Sequence, residues 1–298
     1  MIEQLPDSEI LIKYNEPLSK YTFTKTGGPA DLLAFPKSVT ELKTLLHFAK
    51  VRQLPLTFIG NASNLIVQDG GIRGLTIITT AMTAIHVYGH YIVAQAGAHI
   101  IDTSKTAQQA SLSGLEFAAG IPGSVGGAIF MNAGAYGGEI SDVVAAYDYL
   151  DSQGELHTLT GAAMAFHYRH SAVQENHGIV ISARFNLIPG DPEVILAKMT
   201  DFNTKRATKQ PLEYPSCGSV FKRPKGYFVG PLIQKAGLQG RIIGGAQIST
   251  KHAGFIVNRG QATATDYMQM IHLIQATVLK KFGVRLEPEV RIIGEPKK

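Results

Sequence analysis

The chain has 298 residues, 45% hydrophobic and 17% charged, with a formal net charge of +5 and one cysteine, Cys217. That length exceeds the usual size of one compact domain and the composition is that of a globular protein, so two or three substructures sharing a cleft are expected. One cysteine excludes an internal disulfide and any cysteine-cluster metal site. The opening MIEQLPDSEILIKYNEPLSK carries acids and prolines where a secretory leader needs a basic end and an unbroken apolar run. No later stretch reaches membrane-spanning length, and a cytoplasmic protein is expected.

In chain order, ADLLAFP reads as a strand. Ser38-Val39-Thr40-Glu41 is a capping-box sequence, and Val39, Leu42, Leu45, Leu46 and Ala49 follow at helical spacing, which predicts a helix over 38–52. LPLTFIG reads as a buried strand that runs into the polar turn GNASN, with β-type sequence and glycine breaks after it. YIVAQAGAHI is a strand and 102–113 a short helix closed by Gly114. The glycine stretch AGIPGSVGGAIFMNAGAYGGE (119–139) follows, with a helix starting inside it. VVAAYDYLDSQGELHTLT is a hairpin turning at Ser152-Gln153-Gly154, and GIVISARFNL is a further strand. A helix is expected over 192–209, a strand at FIVN, an amphipathic helix over about 265–282 ended by Gly283, and a last strand in VRLEPEVRIIG. Strands and helices mix without regular βαβ alternation, so the expected class is α+β.

Charge divides the chain. Residues 1–190 hold 11 Lys+Arg against 15 Asp+Glu, whereas 191–298 hold 17 against 8. We place a boundary near 190, with 1–190 as one domain in two lobes (about 1–80 and 81–190) and 191–298 as a second. A basic last third suits a nucleic-acid-binding module or a phosphorylated small substrate, since both need a positive field. The basic residues are scattered, with no Arg/Lys-rich run and no aromatic-basic signature, which favours the small anion.

The glycine stretch has the opposite character, for no Lys or Arg occurs between Lys105 and Arg169. An anion held there must be held by backbone N–H groups. No two glycines are separated by a single residue and no Gly-Lys pair exists, which excludes the dinucleotide fingerprint and the P-loop. Gly120, Gly123, Gly126 and Gly127 could bring successive N–H groups to a diphosphate at a helix start; a helix packed tightly on a sheet explains the same spacing.

Seven segments in order resemble one family: TFTKTGGPADLLAFP, GNASNLIV, GLEFAAGIPGSVGGAIFMNAGAYGGEI, YRHS, CGSVFKRP, AGLQGRIIGGAQISTKHAGFIVN and LEPEVRIIG. They are similar to the UDP-N-acetylenolpyruvoylglucosamine reductases (MurB), flavoenzymes of peptidoglycan precursor synthesis. The resemblance implies an FAD-binding domain of the vanillyl-alcohol-oxidase (PCMH) type up to about 190 and a C-terminal α+β substrate-binding domain. It also implies FAD as cofactor, NADPH as co-substrate and a sugar nucleotide as the small-molecule substrate, with no nucleic acid, membrane or obligate protein partner.

By the same resemblance, FAD is held by Gly60, Asn61, Ala62, Ser63 and Asn64, by Gly120, Pro122, Gly123, Ser124, Gly126 and Gly127, and by Asn132 and Ala133, with Ile179 near the flavin. Arg169 in YRHS matches the arginine that stabilises the developing enolate, and Glu289 in EPEV its acidic partner. Ser219 in GSVF matches the proton donor to substrate C2. Lys222, Arg223 and Arg291 are the candidates for the UDP diphosphate and Tyr136 for the substrate. Many members have Asn where this chain has Arg223. Between Arg169 and Ser219 there is space only for a strand, a helix and a short connection, which places the chain in the class without a tyrosine-bearing lid.

Ten histidines raise the question of a metal. His86 and His90 stand four apart without the Glu of a zinc-protease helix and lie in β-type sequence, so no metal is expected. Two other readings stay open on the sequence: an FAD-dependent sugar or lactone oxidase of the same fold, and a basic nucleic-acid-binding module. GSVFKRP with LEPEV, and the absence of a histidine in the 60–64 turn where such oxidases can attach flavin, speak against the oxidase.

Overall fold

Residues 2–5 and 9–297 are described by the computed structural model. The first lobe contains β1 (Ile2–Gln4), β2 (Leu11–Pro17), β3 (Pro29–Ala34), α1 (Val39–Val51), β4 (Leu56–Ile59), β5 (Leu65–Val67) and β6 (Ile72–Ile78). Five of these strands form a sheet in the order β1-β2-β3-β6-β4, antiparallel on the β1–β3 side and parallel where β6 sits between β3 and β4. The Ser38 hydroxyl caps α1 by accepting from Glu41 N at 3.1 Å. The reciprocal half of the expected box is not made, because the Glu41 carboxylate accepts from Lys37 N at 2.8 Å instead. Leu42, Leu45, Leu46 and Ala49 bury the inner face of α1.

The second lobe follows with β7 (Ile85–Tyr88), β8 (Tyr91–Gln95), α2 (Ile100–Gln109), β9 (Leu112–Ser113), α3 (Val125–Phe130), β10 (Gly134–Ala135) and β11 (Gly138–Glu139). It ends with β12 (Val144–Leu150), β13 (Leu156–Thr160), β14 (Ile179–Asn186) and β15 (Ile188–Pro189). Its main sheet, in the order β13-β12-β14-β8-β7, is antiparallel throughout. The hairpin turns as expected: Asp151 Oδ1 accepts from the N–H groups of Gln153 (2.8 Å) and Glu155 (3.0 Å). Helix α2 stops earlier than its sequence suggests. The chain reverses at Ser111 in the left-handed region (φ 57°), and Leu112–Ser113 leave to pair with Ile188–Pro189.

The last part holds α4 (Pro192–Lys209), β16 (Ser216–Ser219), α5 (Val229–Lys235), β17 (Ile242–Ile243), β18 (Ala246–Ile248), β19 (Phe255–Asn258), α6 (Ala264–Phe282) and β20 (Arg291–Ile293). Its antiparallel sheet has the order β16-β19-β18-β17, with α6 against it. Gly283 ends α6 at φ 68°. Of the expected final strand only β20 forms as a strand; ahead of it the chain makes a single antiparallel bridge, Pro288 opposite Phe221, with Lys222 N donating to Glu287 O (2.9 Å) and Glu289 N to Val220 O (2.8 Å).

Two features join these parts. Helix α4 opens the basic third, yet Ile195 and Met199 bury against Ala119 of the second lobe, and Lys198 reaches Glu116 at 3.7 Å. By its contacts α4 sits with the second lobe. Strand β20 returns to the first lobe and pairs in parallel with β5, Arg291 opposite Leu65. Asp69 strengthens that junction by capping α6 from the first lobe: its carboxylate accepts from Ala264 N (2.9 Å), Thr265 N (2.8 Å) and Thr265 Oγ1 (2.7 Å).

Candidate active site

A cavity of about 880 Å³ runs between the parts, large enough for a dinucleotide-sized ligand. One wall is the Gly60–Asn64 turn after β4; facing it are Ile121–Ser124 and the first turn of α3. Space here depends on missing side chains. A Cβ on Gly60 would collide with Ser124 Oγ, the hydroxyl that caps α3 by accepting from Gly127 N at 3.3 Å. A Cβ on Gly126 would press on Ala96 at 3.0 Å.

The N–H groups show which loop can hold an anion. In α3 the first three are spent inside the protein: Val125 N on Ala98 O (2.8 Å), Gly126 N on Ala96 O (2.8 Å) and Gly127 N on Ser124 Oγ. The helix start therefore contributes close approach rather than the row of donors its glycines suggest. In the 60–64 turn, by contrast, the N–H groups of Asn61, Ala62, Ser63 and Asn64 have no acceptor among the described residues. Ala62 is held at φ 48°, a conformation that turns successive N–H groups to one side, and Asn61 Nδ2 ties the turn to Pro122 O at 2.9 Å. Free donors in a glycine-walled cavity fit the diphosphate of FAD.

At one end of the cavity three expected residues converge from separate elements. Arg169 sits in the reversal His167–His170, where His167 N donates to His170 O (3.2 Å) and His170 N to His167 O (3.1 Å). It takes the left-handed φ of 58° that such a turn usually assigns to glycine. Gln174 secures it, its Nε2 donating to Arg169 O (3.1 Å) and Phe130 O (2.6 Å). Arg169 Nε donates to Glu289 Oε1 at 2.8 Å, and Tyr168 OH reaches Glu289 Oε2 at 3.4 Å. Glu289 is itself fixed by Glu289 N on Val220 O at 2.8 Å and by Asn64 Nδ2 on Glu289 O at 3.2 Å.

Ser219 ends β16 beside this pair. Gly218 at φ 77° and a register break between Ser216 and Ser219 rotate the strand end. The Ser219 hydroxyl lines the cavity and has no protein partner among the described residues, so it is free to donate to a ligand. Gly254 separates it from His252: a Cβ there would be in ordinary contact with Ser219 Oγ at 3.6 Å but would crowd His252 Cε1 at 3.0 Å. His252 lines the same end and its sequence position carries no expectation. Burial lowers its pKa, and Nδ1 accepts from Gly254 N at 3.1 Å, an arrangement made by the Nε2–H tautomer. Cys217 also lines the cavity; burial pushes its pKa up to about 12, which makes it an inert thiol.

The remaining expected residues divide. Pro122, Gly123, Ala133, Ile179 and Arg291 line the cavity, with the Arg291 guanidinium 5.5 Å from the Phe130 ring centre. Asn132 is fully buried behind it, its amide bridging Ser141 N (3.0 Å) and His167 O (3.2 Å); it braces the Arg169 turn. Gly120 lies outside the lining and gives α4 its close approach. Tyr136 stacks on Phe202 of α4 at 4.7 Å and is outside the lining, although Gly134 and Ala135 beside it are part of it. Lys222 reaches Glu287 at 3.7 Å and Arg223 lies over Phe228 at 4.0 Å, both outside the lining.

Fold and cavity define an FAD-binding flavoprotein with an appended α+β domain, and residues 30–160 match the FAD binding domain family. The chain belongs to the UDP-N-acetylenolpyruvoylglucosamine reductases, whose C-terminal domain family matches residues 210–293. It is 68% identical over 286 residues to the enzyme of that name from Latilactobacillus sakei, covering 96% of this chain and 94% of the relative. Identity to the Lactiplantibacillus plantarum enzyme is 64%, with 96% and 95% covered. In structure it is similar to MurB from Thermus caldophilus, with a TM-score of 0.81, 32% identity and 98% of both chains covered. Among the described residues no helix is long and apolar enough to cross a membrane.

Proposed function

We infer that this chain catalyses the NADPH-dependent reduction of the enolpyruvyl ether of UDP-N-acetylglucosamine to UDP-N-acetylmuramate, a step of peptidoglycan precursor synthesis, in the cytoplasm. The observation that carries this is the convergence of Arg169, Glu289 and the unpartnered Ser219 hydroxyl at one end of an FAD-sized cavity.

FAD, when bound, supplies the hydride relay from NADPH to C3 of the substrate. Everything else falls to the chain. Negative charge that develops on the substrate carboxylate and C2 needs preorganised donors, which usually contribute more to catalysis than any other single effect. Glu289 takes the Nε edge of Arg169 and so sets the plane of the guanidinium, leaving Nη2 for the carboxylate. Ser219 donates its proton to C2. A hydroxyl is a weak acid, but a carbanion-like carbon is a far stronger base, so placement decides. Arg291, on the same cavity wall, is our candidate for the sugar-nucleotide diphosphate.

Anaerobic reduction of the bound flavin by NADPH, followed by the enolpyruvyl sugar nucleotide, tests this reading. Reoxidation of the flavin without oxygen is the expected result; a flavin reoxidised only by oxygen would overturn it in favour of an oxidase.

A further inference from the structure

Two left-handed residues stand together behind the Arg169–Glu289 pair. Arg169 is held at φ 58°, and Asn132, whose carbonyl oxygen accepts from Arg169 Nη1 at 3.5 Å, is held at φ 41°. A non-glycine residue keeps that conformation only where its surroundings over-determine it. The two hydrogen bonds of the His167–His170 reversal close the turn on itself. They do not fix where the turn stands.

That is settled by two amides from outside the turn. Asn132 Nδ2 holds its first residue through His167 O at 3.2 Å, and Gln174 Nε2 holds Arg169 O at 3.1 Å. The second N–H of Gln174 goes to Phe130 O at 2.6 Å. Both partners are carbonyl oxygens, which only accept, so the amide orientation follows from them and both of its donors are spent on the protein. Phe130 is the last residue of α3, where carbonyl groups have no partner within the helix. The Ser171 hydroxyl donates to the same oxygen at 3.0 Å but makes no contact with the Arg169 carbonyl. Helix α3 therefore meets the site at both ends: Gly126 and Gly127 line the cavity, and Phe130 O anchors the amide that grips Arg169.

We propose that Gln174 is a positioning residue for the reaction: it clamps the backbone of Arg169 to the end of α3, which sets where the guanidinium meets the developing negative charge. The inference rests on the role given to Arg169 above. A displacement of about 1 Å in such a group can cost 10²-fold in rate, so Gln174→Met, similar in size and without donors, should slow reoxidation of the reduced flavin by the enolpyruvyl sugar nucleotide by about 10- to 100-fold. Flavin reduction by NADPH should stay near wild type, and stopped-flow absorbance reads both halves. Gln174→Glu adds a pH signature. Its carboxylate cannot donate to either carbonyl, whereas the protonated acid regains one donor, so reoxidation relative to wild type should recover as pH falls. Ser171→Ala removes the other hydrogen bond to Phe130 O and should lower the melting temperature without separating the half-reactions. A double-mutant cycle completes the test: with Lys already at position 169, Gln174→Met should add little further loss, because residues that act through one another are not additive. Equal slowing of both half-reactions by Gln174→Met, no slowing of either, or a loss that multiplies in full with Arg169→Lys would overturn the proposal alone. A wild-type flavin that the enolpyruvyl sugar nucleotide does not reoxidise would overturn the functional reading, and the proposal with it.

Discussion

Arg169 and Glu289, 120 residues apart in sequence, meet at 2.8 Å with side chains only 19% and 15% exposed. The arginine comes from a strained reversal in the second lobe and the carboxylate from the connection before β20, so one contact reports whether two parts of the molecule are correctly docked. Arg169→Lys removes the fork that holds Glu289 and that we propose also receives the substrate carboxylate. We expect kcat/KM to fall by 10²-fold or more, on the order of 3 kcal/mol of transition-state stabilisation. Steady-state kinetics check this, and a change confined to KM would assign the arginine to ground-state binding instead.

Ser219→Ala should separate the two half-reactions. Flavin reduction by NADPH needs no proton on the enolpyruvyl carbon and should stay near wild type, while reoxidation by the enolpyruvyl substrate should slow by about 10²–10⁴-fold. Ser219→Cys should recover part of the rate. Stopped-flow absorbance at the flavin band resolves the halves; equal slowing of both would make the serine a structural residue.

Gly60→Ala places a methyl group on the Ser124 hydroxyl and so disturbs the α3 cap across the cavity. Loss of such a cap costs about 1 kcal/mol, and the displaced turn carries the four free N–H groups as well. We expect a lower melting temperature together with weaker flavin retention on gel filtration. Gly137→Ala, where a Cβ would meet nothing within 4 Å but φ is 89°, is the control for backbone strain alone.

Glu116 makes stability depend on acid. Its side chain is only 4% exposed, and burial alone would raise its pKa. The Ser113 hydroxyl (2.6 Å), the Gly114 N–H (2.8 Å) and Lys198 outweigh that and hold the carboxyl below its ordinary range. A pKa lowered by folding adds stability that is complete above the unfolded value of about 4.3 and is lost as pH falls through the folded value. Glu116→Gln should therefore cost about 1–3 kcal/mol near pH 7, with the gap to wild type closing below about pH 4. Thermal melts across pH 3–7 measure it, and a gap constant with pH would rule out the ionic contribution.

Local rules made much of the secondary structure legible. Apolar periodicity and end signals put α1, α4 and α6 within a residue or two of their observed ends, because caps such as Asp191 and Gly283 act on their own helix. The convergence of Arg169, Ser219 and Glu289 was legible only through ordered motifs, since spacing says nothing of residues 50 or more positions apart. Donor availability was not legible at all. That Gly126 and Gly127 spend their N–H groups on Ala96 and Ser124 follows from how α3 docks, as does the turning of Tyr136 onto Phe202. His252 lies within a family-like segment but had no role to read there, because only the fold sets it beside Ser219.

The parallel pairing of β20 with β5 imposes an order of events on a growing chain. β5 leaves the ribosome more than 200 residues ahead of its partner, as the separation of 226 between Gln68 and Gly294 shows. Until β20 arrives, the edge after the 60–64 turn is unpaired and Asn64 lacks Glu289 O as an acceptor. A nascent chain can thus complete its first sheet and begin to shape a flavin cavity, but the Glu289 carboxylate and the strand that follows it come last. Flavin captured before that point would be bound by a protein in which Arg169 still lacks its partner carboxylate.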